Sequence, residues 1–169
     1  KLSYLPTSGK FENYRWSLSA GTYDQFPFYR EMRQKSGILN TNVRSQQALH
    51  LIARQDKDFT LWDRPFVWTI EGYYKGLQRV NLFDIENVRI RYQADNAAVA
   101  RVYGFDSRIN GEFVKGTDSW FTFSLFNAQE RPLADEQWYA RPTDTRFNFA
   151  VYFQHYLPND PSTRLSLTL

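Results

Sequence analysis

Apolar side chains recur at every second position of this chain, and few folds tolerate that pattern. The clearest run is Phe147, Phe149, Val151 and Phe153, interleaved with Asn148, Ala150, Tyr152 and Gln154. A period of two is the mark of an extended strand with one apolar and one wetter face. The same alternation runs through Tyr14, Trp16, Leu18, Ala20 and Thr22, and through Phe66, Trp68, Ile70, Gly72 and Tyr74. It returns in Val88, Ile90 and Tyr92, in Val99, Tyr103, Phe105 and Ile109, and in Phe121, Phe123 and Leu125. Phe, Tyr and Trp make up 18% of the chain, more than a few core anchors require. Function turns on whether the apolar face looks at a protein core or at lipid.

Strands are predicted over 14 to 22, 44 to 55, 66 to 74, 88 to 92, 97 to 113, 119 to 128 and 145 to 156, with a last one from Arg164. Leu2 to Leu5 read as the tail of a further strand. Over 44 to 55 a helix is a live alternative, since Gln46, Gln47, Ala48 and Leu49 have good helix propensity. Short turns are expected near 6–10, 56–64, 114–118 and 157–162, the last holding Pro158, Asn159, Asp160 and Pro161. Longer connections fall at 24–42, 76–86 and 129–143. Short turns at one end and long loops at the other are the layout of an outer-membrane barrel. Strands of about 9 to 11 residues fit a tilted crossing of the bilayer. Trp16, Trp62, Trp68 and Trp120 fall near strand ends or turns, as girdle aromatics do.

No stretch approaches the ~18 apolar residues of a membrane-spanning helix, a test that β-barrels escape because their strands are half polar. The chain has no cysteine, hence no disulfide framework and no thiolate metal site. His50 and His155 stand far apart without ligand spacing and read as strand residues. The net charge is +3 and the basic residues are spread along the chain, which argues against nucleic acid. No cofactor, metal site or catalytic set is expected: Asp84 with Glu86, and Asp106 with Glu112, read as loop or lumen carboxylates, and Gly104 and Gly111 as glycines easing twist or a bulge. The 169 residues read as part of one β-barrel domain, and both ends, at Lys1 and within a strand at Leu169, are expected to continue.

Gln25-Phe26-Pro27-Phe28-Tyr29-Arg30-Glu31 resembles a segment of TonB-dependent outer-membrane receptors of the Bacteroidetes type. Glu71-Gly72-Tyr73-Tyr74-Lys75, Asp84 to Tyr92, Tyr103-Gly104-Phe105-Asp106, Gly111 to Gly116, Ser119-Trp120 and Arg141-Pro142-Thr143-Asp144 are similar to later barrel segments of that family, in the same order. The resemblance implies a barrel of about 22 strands around a plug, importing a bulky nutrient with energy from TonB. This chain matches a late portion of about seven to eight strands, without plug or TonB-contact segment. The implied fold is an all-β, antiparallel, up-and-down transmembrane β-barrel segment in the bacterial outer membrane. Implied partners are outer-membrane lipid, the remainder of the barrel and plug, TonB through a segment not present here, and a lid lipoprotein.

If Val88 and Ile90, and Phe105 and Ile109, face lipid, then Arg89, Arg91, Asp106 and Arg108 point into the lumen, because Arg facing lipid at mid-depth costs about 2–4 kcal/mol. These four, with the loop aromatics Tyr29 and Trp138, are the candidate ligand-binding residues; lumen salt bridges and loop packing are their structural alternatives. Arg101 shares parity with Tyr103 and Phe105, so it is expected above the bilayer or beyond a bulge near Asp95 and Asn96. Two further readings are a barrel acting as a scaffolding subunit of an outer-membrane complex, and a soluble β-sandwich binding module.

Overall fold

The computed structural model describes residues 1–157 and 160–169. The chain is all-β: 67% is strand, and no helix forms among the described residues. In chain order the strands are β1 (Leu2–Tyr4), β2 (Tyr14–Gln25), β3 (Gln46–Leu61), β4 (Arg64–Val80), β5 (Phe83–Glu86), β6 (Arg89–Tyr92), β7 (Ala98–Val114), β8 (Thr117–Pro132), β9 (Tyr139–Ala140), β10 (Phe147–Leu157) and β11 (Asp160–Thr168). Eight of them form one antiparallel meander, β1-β2-β3-β4-β7-β8-β10-β11, with β9 attached to β8. The sheet is open, with β1 and β11 as its edges.

The helix alternative over 44 to 55 is overturned, because Gln46 to Lys57 pair along the whole of β2. Tertiary pairing outweighs a helix preference worth tenths of a kcal/mol per residue (roughly). Asp56 and Asp58, expected to open a turn, lie inside β3; the turn is Trp62-Asp63, with φ of 53° and 57°. Two left-handed residues in succession make the primed two-residue hairpin turn that suits strand twist, here without its usual Asn-Gly signature. The turn at Lys115-Gly116 stands as expected, with Gly116 at φ 77°. Of the expected turn at 157–162, Pro158 and Asn159 lie outside the described residues.

The strand predicted over 88 to 92 is corrected. Residues 83 to 92 form a separate hairpin, β5 with β6, set in the connection between β4 and β7. Its tip is Asn87-Val88, both at positive φ, and Val88 is 97% exposed. The alternation of Val88, Ile90 and Tyr92 is therefore a loop hairpin, not a wall strand.

Register fixes the two faces. Leu18, Ala53, Gly72, Phe105, Leu125 and Phe147 lie level across β2, β3, β4, β7, β8 and β10. The neighbouring rows on that face carry Ile70, Phe123 and Phe149 on one side and Leu51, Tyr74 and Tyr103 on the other. Nothing among the described residues covers this face: Leu18 is 60% exposed, Phe149 58% and Phe147 67%. The opposite face carries Arg15, Arg54, Asp56, Glu71, Asp106, Arg108, Ser124 and Asn148 at matching levels.

At the short-turn end the apolar face closes in an aromatic band. Tyr4, Phe11, Tyr14 and Trp16 pack together at centroid distances of 5.5–5.9 Å. Phe66 meets Phe59 at 5.5 Å and Phe113 at 5.0 Å, and Phe113 meets Phe121 at 4.9 Å. Phe66 lies over Gly111, where an added Cβ would strike its ring and stand 2.7 Å from the Pro65 carbonyl. The ladder shifts register just past Gly111, so that glycine sits at a bulge as expected. Gly111→Ala should therefore destabilise by about 1–3 kcal/mol through overpacking. Gly72→Ala, with nothing within 4 Å of the added Cβ, should stay within about 0.5 kcal/mol. Thermal unfolding of the two variants checks the contrast; equal loss would contradict it.

Candidate functional site

All three long connections, 26–45, 81–97 and 133–146, emerge at the same end of the sheet. A small apolar cluster anchors them: Val80, Ala98 and Ala100 are buried, with Leu77 and Leu82 against them. Ala98 and Ala100 share parity with Asp106, so the cluster lies on the polar face.

Asn96 ties the first two connections together. Its side-chain amide donates to the carbonyls of Arg79 (2.7 Å) and Arg44 (3.1 Å), and its Oδ1 accepts from the Arg44 amide at 2.6 Å. Its backbone amide donates to Asn81 Oδ1 at 2.9 Å. Asn40 Nδ2 donates to the Ala94 carbonyl at 2.8 Å, and Lys35 pairs with Asp84 of the β5–β6 hairpin. Glu31, buried, caps its own turn by accepting from the Phe28 amide at 2.9 Å.

Between the turn of 28–34 and β6 lies a cleft of about 190 Å³ lined by Tyr29, Arg30, Arg33, Gln34, Ile90, Arg91 and Tyr92. Arg30 and Arg33 enter no ion pair among the described residues; Arg91 stands 3.5 Å from Glu86, with both side chains about half exposed. An exposed pair of that kind is worth only about 0–1 kcal/mol, so Arg91 remains open to a stronger anion. The cleft thus offers three guanidinium forks and two tyrosine rings, a set suited to an oxyanion beside a ring.

The third connection is latched separately. Trp138 lies under the Arg101 guanidinium at 4.1 Å and that of Arg131 at 5.6 Å, and Arg101 also donates to Gln129 Oε1 at 2.7 Å. This explains Arg101: it tops the apolar face at the long-loop end and turns onto the loop. Arg141 and Glu130 approach to 3.2 Å in a poorly exposed pair. Asp144 accepts from the Ala128 amide at 2.8 Å and from Arg146 Nε at 2.8 Å, which holds its carboxyl below the usual range, the Ala128 bond most of all.

Of the sequence candidates, Tyr29 and Arg91 meet in the cleft. Arg89 lies opposite Glu86 on the same hairpin, away from the sheet wall where it was expected. Asp106 and Arg108 face the polar side of β7 as expected, Asp106 level with Glu71 and Arg108 with its guanidinium 4.8 Å from the Trp120 ring centroid. Trp138 serves the latch. Asp84 and Glu86 are ion-paired, and Glu112 accepts from the Gly116 amide at 3.1 Å. His50 packs against Tyr23 in a tilted pair at 4.6 Å, and no metal-holding cluster occurs among the described residues. Sequence reasoning missed Arg30, Arg33, Gln34 and Tyr92. The three-residue spacing of the two arginines within one turn was the available signal.

The chain matches no protein-family model, no curated protein and no solved structure.

The Asp144 contact has a pH signature. A depressed carboxyl contributes stability that is present above its ordinary value, about 3.9, and is lost as pH falls through its lower folded value. Asp144→Ala should free the 133–146 loop for pepsin, with a variant-to-wild-type cleavage ratio that is above one at about pH 4.5 and falls toward one as the pH is lowered. A ratio independent of pH would contradict the assignment.

Proposed function

We propose that this chain is part of the barrel wall of a TonB-dependent outer-membrane transporter, with the apolar face against lipid and the polar face toward a lumen. The observation that carries the reading is the apolar face itself, broad, continuous and uncovered. In a soluble sandwich a second sheet would lie on it; among the described residues none does.

The dimensions support lipid as the missing cover. On that face the cross-strand rows between Lys57 and Arg101 hold no charged residue. From Ile109, level with Lys57, to Arg101 is about 26 Å of strand. Tilted by about 40°, that length covers about 20 Å of membrane thickness, near the ~25 Å apolar band of outer-membrane barrels. Lys57 lies over the ring of its cross-strand neighbour Tyr14 at 5.4 Å, and Arg101 turns onto Trp138 of the loop, so each charge at the margins of the band has an aromatic partner. The tryptophans Trp16, Trp62 and Trp68 collect at the short-turn end, as interfacial anchors do. A hollow of about 590 Å³ also lies on this face, where Ala20, Ala53 and Gly72 leave a trough between Leu2, Leu18 and Tyr74. Apart from Lys1 and Ser19 its lining is largely apolar and aromatic, which suits an acyl chain better than a polar solute.

The polar face supports a wet lumen. Arg15 binds Asp58 with both nitrogens, Arg54 binds Asp56 at 2.9 Å, and Thr69 donates to Asp56 at 2.6 Å. Such a ladder of exposed charge needs water or a polar plug above it. No helix among the described residues is long and apolar enough to cross a membrane. Binding and gated passage follow as the mechanism, without covalent chemistry.

Energised uptake separates transport from scaffolding. Deleting the whole gene should abolish accumulation of one nutrient, and a protonophore should abolish the same accumulation in the parent strain. Unchanged uptake after deletion would leave the scaffolding role and remove the transport one.

A further inference from the structure

We infer that the cleft between the turn of 28–34 and the β5–β6 hairpin captures the oxyanion group of an acidic solute, a sugar acid or a sugar phosphate. This deepens the transport reading by naming a class of cargo, and it rests on that reading only for the direction in which the solute travels.

The lining of the cleft suits an oxyanion attached to a ring. Arg30, Arg33 and Arg91 line one cleft of about 190 Å³, from two different segments of the loop end. Their forks match the planar oxygens of a carboxylate or phosphate better than a lysine would. Arg30 and Arg33 make no ion pair among the described residues, whereas Lys35, close by in sequence, is spoken for by Asp84. Gln34 adds an amide, and the rings of Tyr29 and Tyr92 give a sugar ring a face to lie on.

The cleft is also held in shape. Lys35 with Asp84 bridges its two walls, the Glu31 cap fixes the turn that carries Arg30 and Arg33, and Gln93 donates to the Leu82 carbonyl at 2.9 Å to close the base of the hairpin. A preformed basic cleft gains affinity by sparing the ordering cost of binding. It stands at the long-loop end, where a solute arriving from outside meets the loops first. The volume suits one monosaccharide-sized unit with its acid group, which makes it an end-group reader rather than a groove for a long chain.

The test is calorimetric titration of the full-length protein in uncharged detergent with glucuronate, inorganic phosphate and glucose. Glucuronate and phosphate should bind, more weakly as salt rises, and glucose should not. The double variant R33Q/R91Q should lose about tenfold or more in glucuronate affinity, a change of about 1.4 kcal/mol. Both arginines are exposed, so the variant keeps its fold, which an unchanged melting temperature verifies. Glucose binding as tightly as glucuronate, or an undiminished affinity in R33Q/R91Q, would overturn the proposal. Titration in nanodiscs separates solute from lipid headgroup. Equal glucuronate affinity in phosphatidylcholine and phosphatidylglycerol discs supports a solute; a tenfold loss in phosphatidylglycerol (about) would assign the cleft to lipid phosphate and overturn the solute class. Binding without uptake would sink transport and leave the cleft standing, so the two readings fail separately.

Discussion

A single sheet with one unsheltered apolar face is the constraint on which everything else depends. Apolar area exposed to water costs about 25 cal/mol per Å². Half-exposed Leu, Phe and Tyr side chains recur along all the long strands of the meander. The chain buries very little inside itself: a loop-end cluster around Val80 and Ala98, and Phe66 at the opposite end. Strand pairing alone holds the wall, with long ladders between β2 and β3, β3 and β4, β4 and β7, and β7 and β8. Whatever surrounds such a wall supplies its missing half, and a lipid bilayer does so without asking for a second sheet.

The two ends of the wall then have different tasks. Two-residue turns at Trp62-Asp63 and Lys115-Gly116, backed by packed aromatics, make one end tight. The other end builds upward from the polar face, where small residues such as Ala98, Ala100 and Ala128 leave room for loops to settle. Asn96 fastens two of those loops by its side chain, Trp138 and Asp144 fasten the third, and the basic cleft forms between the parts so held. Rigid strands and pinned loops are what a site needs when it must hold a shape without a deep core.

The period of two was legible for the wall strands because one face of each is uniformly apolar: Phe105 and Ile109 in β7, and Phe121 and Phe123 in β8, lie where the pattern places them. The same pattern misled at Val88, Ile90 and Tyr92, since a loop hairpin alternates too, and no local signal tells a hairpin in a loop from one in a wall. β3 was obscured by its helix-favouring residues and by Asp56-Lys57-Asp58, which resemble a turn until Arg15 and Arg54 are placed beside the carboxylates across and along the strand. Charge at the short-turn end is cheap inside a strand when its face is wet and its partner near. The cleft was half legible: Tyr29 and Arg91 were singled out separately, but only folding of the 26–45 connection onto the hairpin puts them together.

Whether alternate residues face lipid can be read directly. Residues 1–169 hold no cysteine, so in a full-length protein cleared of any cysteine elsewhere a nitroxide label can be placed at one engineered cysteine at a time along positions 147 to 154, in lipid bilayers. Collision with oxygen, which concentrates in lipid, is compared with collision with a water-soluble nickel chelate. Labels replacing Phe147, Phe149, Val151 and Phe153 are expected to meet oxygen and be shielded from nickel, and those replacing Asn148, Ala150, Tyr152 and Gln154 the reverse. Free access of nickel to the Phe147, Phe149, Val151 and Phe153 positions, or an accessibility without a two-residue period, would contradict a lipid-facing wall.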